Sequence, residues 1–232
     1  IKEHNPDVIC LQESGKWPKN TAQSFSKTIG YKYYSYNTKN GNSYFSKYKI
    51  ENVNIFKDEN ISKFADIKKI NISKNESFYL VNCHLNSFGI SKEEIEYIND
   101  IENIVKESET HGKSVIHKLK SGFERRTQST DLLLENLPDD TLPLIICGDF
   151  NDTPLSYTYN QMLKAGMKDA FITASRGIGK TYCGPLPLLR IDYFWYNDYI
   201  DVVDYKRIKQ TTSDHYPLII SFNIKEEVEE EQ

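Results

Sequence analysis

The stretch LIICGDFNDTP, residues 144–154, decides how this chain is read. Leu144, Ile145, Ile146 and Cys147 form an apolar run, and Gly148 interrupts it. Asp149, Asn151 and Asp152 then crowd into four positions. A short apolar run before a glycine is the pattern of a buried strand. Carboxylates at the mouth of such a strand are costly unless a cation, a histidine or several donors meet them. If strand geometry continues past Gly148, Asp149 and Asn151 share one face while Phe150 points into the core. The pair can then act on one substrate atom.

The same juncture of apolar strand and polar turn recurs. CLQE ends at Glu13, and TTSDHYPL carries Asp214 and His215. RIDYFW places Asp192 inside an otherwise apolar strand. SFYLVNCHLNS (77–87) alternates, with Tyr79, Val81, Cys83 and Leu85 on one face and Phe78, Leu80, Asn82 and His84 on the other. Gathered at strand ends, these acids, the amide and the histidines satisfy one another around a hard cation. Oxygen ligands select Mg²⁺, with Mn²⁺ as the alternative.

The remaining sequence narrows the class. The chain has 232 residues, 38% of them hydrophobic and 27% charged, which is ordinary for a globular protein. Net charge is −4, but the tail KEEVEEEQ holds five of the 33 acids in residues 226–232. Without them 28 acidic side chains face 29 basic ones, so a broad basic face for duplex DNA is not expected. Cys10, Cys83, Cys147 and Cys183 show no C-x-x-C spacing, and three lie in apolar runs. Free thiols are expected rather than a zinc site or a disulfide framework. Residues 1–225 are expected to form one domain and 226–232 an acidic flexible tail.

Along the chain, DVICLQE (7–13) reads as a strand and TAQSFSKTIG (21–30) as a short helix closed by Gly30. Tyrosine-rich and β-branched runs from 31 to 84, with the turn KNGN at 39–42, read as an antiparallel meander. Ile95, Ile98, Ile101 and Val105 fall at helical spacing after Ser91, and a second helix spans about 113 to Leu137. SYTYNQMLKAG (156–166) reads as a helix, and three strand-like runs follow. The expectation is an α/β fold of two packed sheets with helices outside.

In order, NPDVICLQE, VNCHLNS, GDFNDTP, RIDYFW and SDHYPL resemble the signature blocks of the endonuclease/exonuclease/phosphatase superfamily. Its members include deoxyribonuclease I, abasic-site endonucleases, neutral sphingomyelinases and inositol polyphosphate 5-phosphatases. The resemblance implies a deoxyribonuclease I-like, four-layer α-β-β-α sandwich with two mostly antiparallel mixed sheets. It implies hydrolysis of phosphate esters with a divalent cation. Glu13 becomes the expected metal ligand with Asp214 close by. Asp149 orients or deprotonates the attacking water, and Asn151 helps hold water and phosphate. His215 donates to the phosphate with Asp192 holding its ring, and His84 is a second donor. Arg125 and Gln128 resemble an R-x-x-Q pair that lies near the phosphate in relatives.

Superfamily members begin with a strand carrying a further asparagine, which is expected to be missing from this fold. GFERRTQS, GDFNDTPLSYTY and GPLPLLRIDY resemble a bacterial subgroup without an assigned substrate. Relatives of that kind often carry hydrophobic segments ahead of the catalytic domain, which implies a membrane anchor in the intact protein. The substrate classes left open are a nucleic-acid phosphodiester, a phospholipid head group and an inositol phosphate. No protein partner is implied, and a monomer is expected. The rival from another class is a non-catalytic phosphate-binding domain on the same fold. Asp152 reads as a loop cap before Pro154. GIGKT (177–181) lacks the glycine at Ala174 that a P-loop needs. The loop GKTYCGPLPLLR borders the site only by its position ahead of Asp192.

Overall fold

Alternation in residues 77–87 becomes a central strand with a different core on each face. The structure, a computed structural model, describes residues 1–14, 17, 18, 20–87, 109–138, 142–184, 189–209 and 212–225, with backbone alone for 109–115. The helix expected around Ile95–Val105 and the acidic tail lie outside the described residues. In chain order the elements are β1 (Val8–Leu11), α1 (Thr21–Ile29), β2 (Tyr33–Tyr36), β3 (Ser43–Ser46), β4 (Lys49–Asn52), β5 (Ala65–Asn71) and β6 (Ser77–His84). There follow α2 (Glu109–Glu135), β7 (Leu144–Asp149), α3 (Tyr157–Lys164), β8 (Lys168–Asp169), α4 (Ala170–Ala174), β9 (Asp192–Tyr196), β10 (Ile200–Arg207) and β11 (Leu218–Ile224).

The inner sheet runs β4-β5-β6-β7-β9-β8. Its pairs are antiparallel except β6–β7, the parallel pair that α2 connects. On one face, Val81, Cys83, Ile146 and Trp195 pack with Leu133 of α2 and Met162 of α3. On the other, Phe78, Leu80 and Ile145 meet Tyr44 of β3 and Val202 and Tyr205 of β10, with Val8, Ile220 and Phe222 against them. A third cluster joins Phe45 of β3 to Ala22 of α1. The order across the molecule is therefore helix, outer β-layer, inner sheet, helices: the four-layer sandwich.

The meander expected over 31–84 is divided between the two β-layers. All four residues of β3 are buried, because Tyr44 faces the inner sheet while Phe45 faces α1. The chain then crosses, and β4, β5 and β6 enter the inner sheet. The outer layer is in two pieces, β1-β3-β2 and β10-β11. Among the described residues β1 pairs with β3 alone and β11 with β10 alone. None of the described helices is long and apolar enough to cross a membrane.

Helix ends follow local chemistry. Gly30 closes α1 at φ 81°, where its N–H reaches the carbonyls of Lys27 and Ser26. Ser156 caps α3 by accepting from the Tyr159 N–H. The four cysteines are free thiols, and Cys83 is the fully buried one.

Candidate active site

Three neighbouring strands end in one row. His84 of β6 is the register partner of Asp149 of β7, which is in turn the partner of Asp192 of β9. The pleat therefore sets these side chains side by side. Gly148 makes the close β6–β7 approach possible. It has φ 139°, and a Cβ there would lie 1.9 Å from the Cys83 carbonyl oxygen. The glycine in GDFND is thus a packing requirement of the parallel pair.

Asp149 is 8% exposed. The strand stops at Asp149, and Asn151 turns back at φ 49°. Its backbone N–H donates to Asp149 Oδ1 (2.8 Å) and its side-chain amide to Oδ2 (3.0 Å) and to the Leu85 carbonyl (2.9 Å). Asp149 and Asn151 meet through a left-handed residue, not through continued strand alternation. Phe150 does point inward, edge-on to Tyr193 and Trp195. Burial, helped by the neighbouring Asp192 charge, pushes the Asp149 carboxyl up to about 7, against the opposing pull of His215.

His215 arrives from the turn before β11. Its Nδ1 faces Asp192 Oδ2 at 2.9 Å and Oδ1 at 3.1 Å. An ionised carboxylate only accepts, so Nδ1 carries the proton. Nε2 then points toward Asp149 Oδ2 at 3.9 Å. Burial alone would lower its pKa, but the hydrogen bond and charge of Asp192, with Asp149 and Asp214, raise it to about 9. His84 behaves oppositely. Burial lowers its pKa and Glu13 only partly offsets this. Its Nε2 lies 3.7 Å from both Glu13 Oε1 and Asp149 Oδ2. One imidazole is held charged and the other neutral.

Glu13 sits at φ 57° between two anchored neighbours. Gln12 donates to Asn82 Oδ1 (2.7 Å), and the Ser14 N–H donates to the Gly41 carbonyl (2.8 Å). Its side chain is 78% exposed and leans over His84. Asp214 is exposed; its backbone carbonyl accepts the Cys183 N–H, and its carboxylate accepts the Ser213 hydroxyl at 3.5 Å. Asp149, Asp192 and His215 each bring a ligand atom to within 4.8 Å of the others, a set different from Glu13 and Asp214. The two carboxylates, with Glu13 alongside and no thiol in the group, suit a hard divalent cation, whereas the charged His215 ring keeps no lone pair for one.

Arg125 and Gln128 are not brought into this group. Both are exposed, and Arg125 donates to Ser121 one turn back. The arginine that turns inward is Arg126, 1% exposed, which donates to the Asn86 carbonyl and lies 3.4 Å from Asp152. Asp152 is 6% exposed, so it is one half of a buried ion pair rather than a simple loop cap. The signal was present in the spacing, since Arg126 is in helical register with the buried Thr130 and Leu133. The loop ahead of Asp192 does border the site. Tyr182 bridges His215 and stands edge-on to its ring, with centroids 5.2 Å apart.

The family model for the endonuclease/exonuclease/phosphatase family matches residues 1–215. The chain belongs to this family. Its members are in general metal-dependent phosphoesterases, acting on phosphate esters such as nucleic acids. Among curated proteins the sequence has no match. Solved structures share the fold at low identity. An AP endonuclease from Archaeoglobus fulgidus is 17% identical over 96% of this chain and 91% of its own, with a TM-score of 0.66. The human Nocturnin catalytic domain with bound sulfate is 17% identical over 96% and 83%, TM-score 0.61. A mannosyl-6-phosphatase of Bacteroides thetaiotaomicron is 15% identical over 97% and 88%, TM-score 0.58. The family's fold is common to all three.

Proposed function

We propose that this protein hydrolyses phosphate esters with the help of Mg²⁺ or Mn²⁺, phosphodiesters foremost. The row His84–Asp149–Asp192, closed by His215, is the observation that carries this reading. Family membership supports the reaction class, and the oxygen-rich donor set supports the choice of ion.

Each side chain has a task set by its environment. Asp149, pressed toward its neutral form by burial, holds a water and takes its proton as the oxygen attacks phosphorus. Asn151 fixes both carboxylate oxygens, so that water has one place to sit. His215 keeps its proton through neutral pH and donates from Nε2 to the phosphoryl oxygen as charge builds there. Asp192 holds the His215 ring in the orientation that allows this and favours its charged form. His84, neutral, is a second hydrogen-bonding group facing the phosphate. Glu13, Asp149 and Asp192 are the acids that would hold a divalent cation, with Asp214 at the rim. When bound, that ion supplies Lewis-acid stabilisation of the phosphate oxygens. The phosphorus–oxygen bond to the leaving group breaks as the new one forms, and the departing alkoxide takes a proton from solvent water. One imidazolium matches the single negative charge of a diester better than the two of a monoester, hence the order of preference.

The substrate class is tested with single- and double-stranded DNA, RNA, sphingomyelin, inositol phosphates and a simple phosphomonoester, each with Mg²⁺ and with chelator. Diester turnover that chelator abolishes is the expected result. Turnover of monoesters alone would reverse the preference. Binding of these esters without turnover would move the chain to the non-catalytic class.

A further inference from the structure

Thr181 stands where the two halves of the His215–Asp192 pair are joined. It is fully buried, in the loop that precedes β9. Its side-chain oxygen accepts the backbone N–H groups of Ile191 (3.0 Å) and Asp192 (3.1 Å). Its carbonyl accepts the N–H of Tyr216 (2.7 Å), the residue after His215. Its own N–H donates to the Leu189 carbonyl (2.9 Å), which closes the loop on itself. The next two residues continue the splint. Tyr182 forms the isolated bridge to His215, and the Cys183 N–H donates to the Asp214 carbonyl at 2.7 Å.

β9 and the turn before β11 are not strand neighbours, because β9 lies in the inner sheet and β11 in the outer layer. The sheet ladders therefore do not fix the distance between Asp192 and His215. We infer that Thr181 is a positioning residue that fixes it, with the hydroxyl setting the Asp192 backbone and the carbonyl setting the His215 turn. This rests on the reading of the site given above. Only a side chain with an acceptor at this place can receive both N–H groups, and valine, of the same shape, cannot. Nδ1 to Asp192 Oδ2 is 2.9 Å, so a drift of even about 1 Å parts the pair, and displacements of that size can cost roughly a hundredfold in rate.

The test compares wild-type protein with Thr181→Val, Thr181→Ala and Thr181→Ser. Ser26→Ala serves as the control, because it removes a different buried hydroxyl, one bound to the Tyr31 carbonyl under α1. The first readout, on metal-free protein, is the far-downfield proton resonance of the His215 ring N–H, assigned by its loss in His215→Gln. The second is kcat and KM on the best phosphate ester found. The inference expects the valine and alanine variants to lose the resonance and to lower kcat by about tenfold to a hundredfold with KM little changed. Serine should restore both. Ser26→Ala should lower the melting temperature and touch neither. Retention of resonance and kcat in the valine or alanine variant overturns the inference, as does the same loss in Ser26→Ala. If the valine variant does not fold, the alanine–serine pair decides alone, since it differs in the hydroxyl. A wild type inert on every ester overturns the proposed function instead, and the resonance then decides the role of Thr181.

Discussion

Asp149 and His215 are both raised, which favours the neutral form of one and the charged form of the other, and each makes a separate prediction. Asp149 is raised to about 7, so the folded carboxyl holds its proton more tightly than the unfolded one. As pH rises from the ordinary aspartate range through about 7, the native state loses stability relative to the unfolded state. In metal-free protein, Asp149→Asn should raise the melting temperature by several degrees at pH 8 and leave it unchanged at pH 4. A chain of this size shifts by about 2–4 °C per kcal/mol. His215, raised to about 9, contributes stability that is complete below the usual histidine range and lost as pH rises through 9. The proposed mechanism needs Asp149 charged and His215 protonated. A profile of kcat against pH should therefore climb on an acid limb at or below 7 and fall near 9. His215→Gln should abolish the alkaline limb and lower kcat by about 10²–10³. An unchanged alkaline limb in that variant would remove His215 from the donor role.

At the scale of elements, the site depends on how closely β6, β7 and β9 approach. Gly148→Ala puts a methyl into the Cys83 carbonyl, and thermal unfolding should show a loss of about 3 kcal/mol or more. The loop after β7 is pinned to α2 by Arg126 and Asp152. Arg126→Met leaves a buried carboxylate uncompensated and should cost about 3–5 kcal/mol, of which Arg126→Met with Asp152→Asn should recover a part. A double variant no more stable than the single one would mean that the pair is not coupled. These elements also show what could be read in advance. Glu13 and Asp149 were legible because apolar runs stop there, Asp192 because an acid interrupts one, and His84 from the alternation of its strand. Their row was not, since register between strands distant in sequence is a tertiary property. The R-x-x-Q resemblance marks Arg125, whereas helical spacing to Thr130 and Leu133 marks Arg126 as the arginine that turns inward. Thr181 left no trace, because a hydroxyl accepting backbone N–H groups has no sequence pattern.

Across the whole molecule, four layers bring groups from residue 13 to residue 215 to one rim, and a divalent cation is what their charges call for. Mn²⁺ or Mg²⁺ should raise the melting temperature of the wild type in a concentration-dependent way, because a ligand of the native state stabilises it by mass action. Asp149→Ala should lose most of that shift. The central claim, that this rim hydrolyses phosphate esters through Asp149, is tested most directly by one rate. Turnover of bis(4-nitrophenyl) phosphate is followed across a Mg²⁺ titration, for wild type and for Asp149→Ala. The account predicts saturable, chelator-sensitive turnover in the wild type and a loss of at least about a hundredfold in the variant at every Mg²⁺ concentration. Equal rates in the two proteins, or turnover indifferent to chelator, would contradict it.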